Sequence, residues 1–439
     1  MKRTLISETP SLIGETVRLQ GWVNTRRDHG KLIFIDLRDR TGVVQMVVIP
    51  DKMEAHQTAK EARNEYVIEI EGLVKKRPGS QKKEDSATGE VEIEVSEMKI
   101  ISAVAGELPF DTAKAELDLN IPTLLDNRHL TLRNKKINDI FKVYSQILKS
   151  YAEVMRENGF LEIKTPKIVS AATEGGANFF KIKYFKREAF LAQSPQFYKQ
   201  AGVGAFERVF EIGPVFRAEP HYTTRHVNEY ISFDAEMGFI ENFSDIMDAL
   251  EMVVKRIVND IERKCEAELR DYPSEFLVPD RFPRIKLTEA MDVLKKEYNK
   301  EKMGVDIDPE GEKLISEWAK KTYGSDFIFL THYPTSARPF YTMPSSDPQY
   351  TESFDLIYRG VEIVTGGQRI HNPEQLVASI KKHHLDPNDF KDYIEIFRLG
   401  MPPHGGWAIG SERLAQKILG LPSIKQAILF PRDVRRLTP

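Results

Sequence analysis

The sequence predicts an α+β protein in two parts: a small closed β-barrel, then a larger domain built on an antiparallel sheet flanked by helices. Three observations carry this. Up to about residue 104 the chain runs in short alternating segments, "ETVRLQGWV", "LIFIDLRD", "VVQMVVIP", "YVIEIEGLV" and "EVEIEVSEMKII", broken by Gly, Asp-Arg and "RPGS". Residues 105–133 lose periodicity and gain prolines. Beyond them, helical patterns flank runs of strands without regular βαβ alternation, which disfavours a doubly wound parallel sheet.

The alternating segments of residues 1–104, with one helix-like insert "PDKMEAHQTAKEAR", suit a barrel of the OB type. Such barrels bind single-stranded nucleic acid or serve as neutral scaffolds. Arg26, Arg27, Lys31 and Phe34 are candidates for a binding face, whereas the "KKRPGSQKK" loop reads as a solvated charge run. Residues 105–133 read as an ordered hinge and 134–439 as the second domain. That domain opens with "KINDIFKVYSQILKSYAEVMRENG", apolar at helical spacing and stopped by Asn158-Gly159. A strand "FLEIKTPKI" follows, then "AFLAQSP", a hairpin within 208–237, and a helix near 243–268. After a mixed stretch to about 325, "DFIFLTHYP", "SFDLIYRGVEIVTGG" and "GGWAIGSERLAQKIL" read as strands, the last turning into a helix.

Composition narrows the class. The 439 residues are 41% hydrophobic and 29% charged, with no apolar run long enough for a membrane span. The opening "MKRTLISETP" lacks an apolar signal core, and a single cysteine, Cys265, makes no internal disulfide; a cytoplasmic protein is expected. Lys and Arg number 63 against 66 Asp and Glu, a net charge of −3, so overall charge neither demands nor excludes a nucleic-acid partner.

The hairpin "RVFEIGPVFRAEPHYTTRHVNEYISFDAEM" crowds Arg, His and acids between two apolar strands. Alone it reads as a solvated turn. Two segments alter that reading: "GGWAIGSERL" ends a strand in small residues and starts a helix with Glu412-Arg413, and "FDLIYRGVEIVTGGQR" brings acids and glycines to another strand. Together they offer cations for phosphates, carboxylates for magnesium and glycines for close backbone approach.

These residues also carry a family resemblance. "YAEVMRENGFLEIKTP" resembles motif 1 of the class II aminoacyl-tRNA synthetases, "VFRAE…RHVNEYISFDAEM" motif 2, and "GGWAIGSERL" motif 3. "TEGGANFF", "QSPQFYKQ" and "GMPPHGG" resemble the aspartyl subgroup, and the match runs through practically the whole chain to "LFPRDVRRLTP". The resemblance implies an anticodon-binding OB domain before a homodimeric catalytic domain. It implies conversion of aspartate and ATP to aspartyl-adenylate, then transfer to the 3′ end of tRNA(Asp), with tRNA(Asn) left open as a second acceptor.

What it implies for single residues is specific. Arg217 would bridge the α-phosphate and substrate carboxylate; Glu219 would accept from the adenine amino group, with Val227 beside it. Tyr230 would stack on adenine, or else belongs to the core. Arg225 and His226 would reach the β,γ-phosphates, and Gly410, Ser411, Glu412 and Arg413 would hold the other end of a bent ATP. Mg2+ would fall to Glu362, Asp355 and Thr365. With Asp355 and Glu362 read as one strand, a regular pleat puts them on opposite faces, so a bulge or a bridging water is required. Lys199 and Arg369 would grip the side-chain carboxylate of aspartate, with Ser194 and Gln196 lining the pocket and Glu174 and Asp234 facing the ammonium. In the barrel, Phe34 would stack on an anticodon base unless it is core, while Arg27, Gln45 and Glu90 would bond base edges.

The barrel is similar to bacterial aspartyl enzymes, whereas only about 120 residues separate "FDAEM" from "FDLIYRG", a compactness similar to archaeal and eukaryotic ones. An asparaginyl enzyme is the first alternative, against which Lys199 and Arg369 argue. A non-catalytic tRNA-binding paralogue is the second, and it would have lost some of Arg217, Glu362 and Arg413, all present.

Overall fold

The computed structural model describes residues 1–78, 82, 87–170, 178–273, 275–301 and 303–438. Residues 1–118 with 133–135 make one compact unit, and 119–132 with 136–439 another.

In the first unit β1 (Thr16–His29), β2 (Leu32–Asp39), β3 (Gly42–Val48), β4 (Val67–Lys76) and β5 (Val91–Ser102) close a barrel in the order β1-β2-β3-β5-β4. Alternation decides which side chains fill it: Val17, Leu19, Ile33, Ile35, Leu37, Met46, Ile70, Ile93 and Val95 are buried. β1 serves two partners, β4 through Thr16–Trp22 and β2 through Trp22–His29, with a register shift between Val23 and Thr25 where it turns the barrel corner. Helix α1 (Met53–Glu61) packs through Ala55 and Ala59.

In the stretch expected to be hinge, α2 (Ile121–Asp126) and α3 (Arg128–Thr131) form, Asn120 capping the first through Thr123 N. Helix α4 (Lys135–Glu157) is amphipathic and stops before Gly159 at φ +77°. The expected strand "FLEIKTPKI" survives only as β6 (Leu161–Glu162) and β7 (Ile168–Val169), because Pro166 lacks the N–H a continuous ladder needs. β8 (Lys181–Tyr184) and β9 (Arg187–Leu191) join β7 in a small sheet, and α5 (Gln196–Phe206) follows.

The main sheet holds β10 (Arg208–Phe216) and β11 (Glu229–Gly238), then, after α6 (Phe243–Lys264) and α7 (Glu266–Leu269), β12 (Arg284–Lys286). Helices α8 (Leu287–Tyr298) and α9 (Pro309–Tyr323) precede β13 (Phe327–Thr331), β14 (Ser353–Tyr358) and β15 (Val361–Arg369). Helices α10 (Pro373–Lys382) and α11 (Lys391–Arg398) lead to β16 (His404–Gly410) and α12 (Ser411–Ile418). Among the described residues the order is β12-β13-β14-β15-β16-β11-β10-β6. Its interior is antiparallel as expected, but the edge pairs β12-β13 and β10-β6 are parallel.

"SFDLIYRGVEIVTGG" is a hairpin rather than one strand. Arg359 and Gly360, both left-handed (φ +47° and +78°), make its two-residue turn. One face of the sheet is sealed by α4 and α6, with Tyr151 stacked on Phe233 at 4.3 Å between centroids and Trp407 fully buried. On the opposite face α8 and α9 cover the β13-β14 side, Leu294 and Ile315 packing with Ile328 and Ile357, and the site occupies the part beside it.

Candidate active site

A cleft of about 620 Å3, open to solvent, is lined by Arg217, Glu219, Arg225, His226, Val227, Tyr230, Glu362, Thr365, Gly410, Glu412 and Arg413. The residues come from β11, β15, β16, the loop after β10 and the first turn of α12. The hairpin register sets Tyr230 opposite Val215, and the Arg217 guanidinium lies 5.7 Å from the Tyr230 ring centroid. Tyr230 therefore faces the cleft and is not core. Asn228 ties the loop's two ends, taking the Arg217 N–H at 2.9 Å on its carbonyl and donating its side-chain amide to the Arg217 and Glu219 carbonyls.

The loop is also strapped to the C-terminal segment. The Asn228 N–H donates to the Arg432 carbonyl at 2.8 Å and the Ile424 N–H to the Thr224 carbonyl at 3.0 Å. Tyr222 is held between the Lys425 ammonium, 3.6 Å from its ring centroid, and the Arg435 guanidinium at 4.2 Å.

Charges in the cleft are already engaged. His226 Nε2 lies 3.4 Å from Glu219, and burial pushes this imidazole below its usual range, against the pull of Glu219 and with that of Arg413 and Arg225. Arg225 is turned to Glu312 of α9 at 2.5 Å, and the same Glu312 oxygen accepts the Glu362 N–H. Arg413 donates to the Glu362 carbonyl at 3.1 Å, its guanidinium 3.8 Å from the Glu362 carboxylate.

Ser411 and Glu412 face inward more than the motif suggests. Ser411 donates to the Ile231 carbonyl, and Glu412 accepts from the Ile231 N–H and from Tyr144, pinning α12 to β11. Burial pushes the Glu412 carboxyl up from 4.5 to about 7. The folded state therefore binds this proton more tightly, and stability falls as pH rises through that window. Glu412→Gln should remove that decline, gaining up to about 3 kcal/mol on wild type between pH 4 and pH 8. Denaturant unfolding at the two pH values checks this; parallel curves for both proteins would contradict it.

Asp355 and Glu362 lie on adjacent strands, not on one. A bulge at Ile363, opposite the step from Leu356 to Ile357, changes the parity of β15. Glu362 is thereby brought onto the face of Thr365, whose hydroxyl donates to it at 2.9 Å, while Asp355 pairs directly with Thr365. The two-residue turn alone puts Asp355 and Glu362 on one face, since Glu362 pairs with Ile357, two residues from Asp355; the bulge adds Thr365 to that face. Beneath, Arg338 meets Asp355 at 2.8 Å and lies over Tyr333, 3.7 Å from its centroid. Burial nonetheless raises the Asp355 carboxyl to about 6, and its Oδ1 has no hydrogen-bond partner.

Lys199 and Arg369 come together. Lys199 is 1% exposed; its ammonium lies 3.1 Å from Asp234, 3.1 Å from the Trp407 carbonyl and 3.4 Å from Glu236. Arg369 meets the other Glu236 oxygen at 3.1 Å and the Gly406 carbonyl at 3.2 Å. A side chain at Gly406 would put a Cβ 2.4 Å from Glu236 and 2.0 Å from the Ala235 carbonyl, so only glycine admits this approach. Gln196, one turn before Lys199, donates to Gln200 at 3.0 Å, and Ser194 accepts the Gln196 N–H at 3.3 Å. Glu174 lies outside the described residues.

In the barrel, Phe34 is half-buried on the outer face, beside Arg27 across β1 and edge-on to His29 at 5.6 Å. It is not core. Arg27 reaches Asp36 at 3.1 Å and Gln45 at 3.3 Å, and Gln45 continues to Glu92 at 3.2 Å. Glu90 stands at the start of β5, ion-paired with Lys82 at 2.8 Å.

Sequence reasoning missed Glu236, Glu312, Arg338, Gln200, Tyr393 and His404. Glu236 had a signal, two positions after Asp234 on the same strand face. Glu312 and Arg338 had none, lying in stretches without a motif.

Among the described residues no helix is long and apolar enough to cross a membrane. Residues 120–434 match the family model of the class II (D, K and N) tRNA synthetases, and residues 17–101 that of the OB-fold nucleic acid binding domain. Aspartate-tRNA(Asp/Asn) ligase of Deinococcus radiodurans is 43% identical, covering 100% of this chain and 99% of its own length. Aspartate-tRNA(Asp) ligase of Pyrococcus horikoshii is also 43% identical, over 98% of both chains. The crystal structure of P. horikoshii asparaginyl-tRNA synthetase with asparaginyl-adenylate superposes with a TM-score of 0.92 at 32% identity, covering 100% of both chains. Aspartyl-tRNA synthetase of Entamoeba histolytica gives 0.88 at 32% identity, over 100% of this chain and 93% of its own. The chain therefore belongs to the class II tRNA synthetases of the D, K and N group, with an OB-fold domain ahead of the synthetase domain.

Proposed function

We propose that the protein is an aspartate-tRNA ligase, forming aspartyl-adenylate from L-aspartate and ATP and passing the aspartyl group to the 3′ end of tRNA(Asp). The observation that carries this is the convergence of two buried cations, Lys199 and Arg369, on Glu236. With Asp234 taking the substrate ammonium, Lys199, Arg369 and Glu236 are left with one net positive charge. The side-chain carboxylate of aspartate matches it, while the amide of asparagine leaves it uncompensated in a dry site, a difference of roughly 10⁴-fold in selection. The asparaginyl reading fails on that charge.

Activation brings an α-carboxylate against the α-phosphorus, anion to anion, so the site must neutralise charge and hold an in-line approach. Arg217 is suited to fork across both groups, with Tyr230 under the adenine and Glu219 accepting from its amino group. Arg225, released from Glu312, would join His226 and Arg413 along the outer phosphates, where a neutral His226 still donates a hydrogen bond.

Glu362, Asp355 and Thr365 fit Mg2+: all are oxygen donors, and the Asp355 Oδ1 is buried without a partner. Among the described residues no group of three or more His, Cys, Asp or Glu gathers to hold a metal, which suits an ion kept by two carboxylates and substrate phosphates. Bound there, Mg2+ would withdraw charge from the phosphates.

The barrel face is proposed to read the anticodon, with Phe34 as its stacking platform. Phe34→Ala should weaken tRNA binding by roughly 1–3 kcal/mol and leave tRNA-independent activation unchanged; titration of labelled tRNA, with an activation assay beside it, checks both. A homodimer is proposed from the motif 1 elements: β6 is the sheet's edge strand and Leu161 is 46% exposed there. With its one cysteine reduced and buried, the protein is proposed to work in the cytoplasm.

Charging of purified tRNA(Asp) and tRNA(Asn) with labelled aspartate tests the function. Aspartyl-tRNA(Asp) is expected, and its absence with active wild-type protein would overturn the proposal. Product on tRNA(Asn) would mark a non-discriminating enzyme, a point on which relatives of equal identity differ in name.

A further inference from the structure

Behind the Lys199–Glu236–Arg369 cluster lies a chain of buried polar groups in which Gln200, His404 and Tyr393 have no role assigned so far, although Gln200 and His404 fall within "QSPQFYKQ" and "GMPPHGG". His404 is fully buried at the start of β16. Its Nδ1 lies 2.9 Å from the Pro402 carbonyl and its Nε2 lies 2.8 Å from the Gln200 amide nitrogen. Gln200 Oε1 in turn takes the Tyr393 hydroxyl at 2.7 Å and the Gln196 amide N–H at 3.0 Å. Gln196, Lys199 and Gln200 share one face of α5, at positions i, i+3 and i+4.

The direction of every bond in this chain follows from one end. A carbonyl only accepts, so His404 must carry its proton on Nδ1. Burial holds the imidazole neutral, so Nε2 offers a lone pair and Gln200 must present its NH2 to it. The Gln200 carbonyl then points away, fit to accept from Tyr393 and Gln196. Gln196 must therefore spend its NH2 on Gln200, and its own carbonyl oxygen is left as the acceptor.

We propose that His404 is a positioning residue for amino-acid recognition, acting through Gln200 to fix the amide of Gln196 so that an oxygen, not an NH2, faces the substrate ammonium. The inference rests on the reading that Gln196 lines the aspartate pocket. An amide turned the other way would set a donor against a cation, losing an acceptor and adding repulsion. Tyr393 locks the same direction from the side, since its hydroxyl donates to the Gln200 carbonyl.

The test compares wild type with His404→Leu, His404→Gln and Tyr393→Phe in tRNA-independent pyrophosphate exchange, measuring KM for aspartate and ATP separately. His404→Leu should raise the aspartate KM roughly tenfold or more and leave the ATP KM within about twofold, the loss expected of a hydrogen bond to a charged group. His404→Gln, whose amide oxygen can accept from Gln200 near the Nε2 position, should return the aspartate KM to within about threefold of wild type. Tyr393→Phe, the removal of one hydroxyl, should raise it about threefold. Equal movement of both KM values, no rescue by Gln, or an unchanged aspartate KM in both His404→Leu and Tyr393→Phe would overturn the inference. Wild-type protein inactive with aspartate would instead overturn the function on which it rests.

Discussion

Lys199→Met is expected to cut aspartate-dependent pyrophosphate exchange by at least about 10²-fold while the ATP KM moves no more than a few-fold. The reason lies in what the ammonium holds. Lys199 sits among Asp234, Glu236 and the Trp407 carbonyl, all buried. Methionine keeps most of the volume but leaves two carboxylates facing each other without their shared cation. Removing one partner of a buried pair typically costs about 3–5 kcal/mol, which is 10²-fold or more in any equilibrium that needs the intact arrangement. Part of that cost will appear as lower stability, so thermal unfolding belongs beside the kinetics. Matched losses for aspartate and ATP would mean that Lys199 serves the fold as a whole and not the amino-acid pocket.

Arg217→Ala is expected to lower exchange by roughly 10²–10³-fold at saturating substrates, with little change in stability. Arg217 stands where the main chain is independently held, its N–H on Asn228 and its carbonyl under the Asn228 side chain, so truncation should leave the loop standing. Two anions meet in the reaction, and a planar fork bridges both where a single ammonium reaches one. Arg217→Lys should accordingly recover less than a tenth of the loss. Full activity in Arg217→Lys, or a loss under tenfold in Arg217→Ala, would remove Arg217 from the reacting groups.

The two substitutions probe halves of the site that were unequally legible in the sequence. The barrel could be read almost strand by strand, because inward Val, Ile and Leu alternate cleanly with outward polar residues. The quoted motifs located Arg217, Tyr230, Glu362 and Arg413, which the structure gathers in one cleft. Local geometry was less accessible. That Asp355 and Glu362 share a face depends on a two-residue turn at Arg359-Gly360, and that Thr365 joins them depends on a bulge at Ile363; neither leaves a periodic trace. Of the acids that balance Lys199 and Arg369, Asp234 was read from "FDAEM" as a partner of the substrate ammonium, whereas Glu236 went unread, since pairing across strands joins residues far apart in sequence. Arg338 and Glu312 come from loops and helices whose relation to the site exists only after folding. Pro166 was the one local cue that should have split "FLEIKTPKI", and there the apolar pattern outweighed the missing N–H.

The central claim is that one uncompensated positive charge, shared by Lys199, Arg369 and Glu236, chooses the amino acid. Pyrophosphate exchange of the wild-type protein with aspartate and with asparagine, each over a full concentration range, tests it most directly. Aspartate should be favoured in kcat/KM by roughly 10⁴-fold. Comparable exchange with the two amino acids, or a preference for asparagine, would contradict the account.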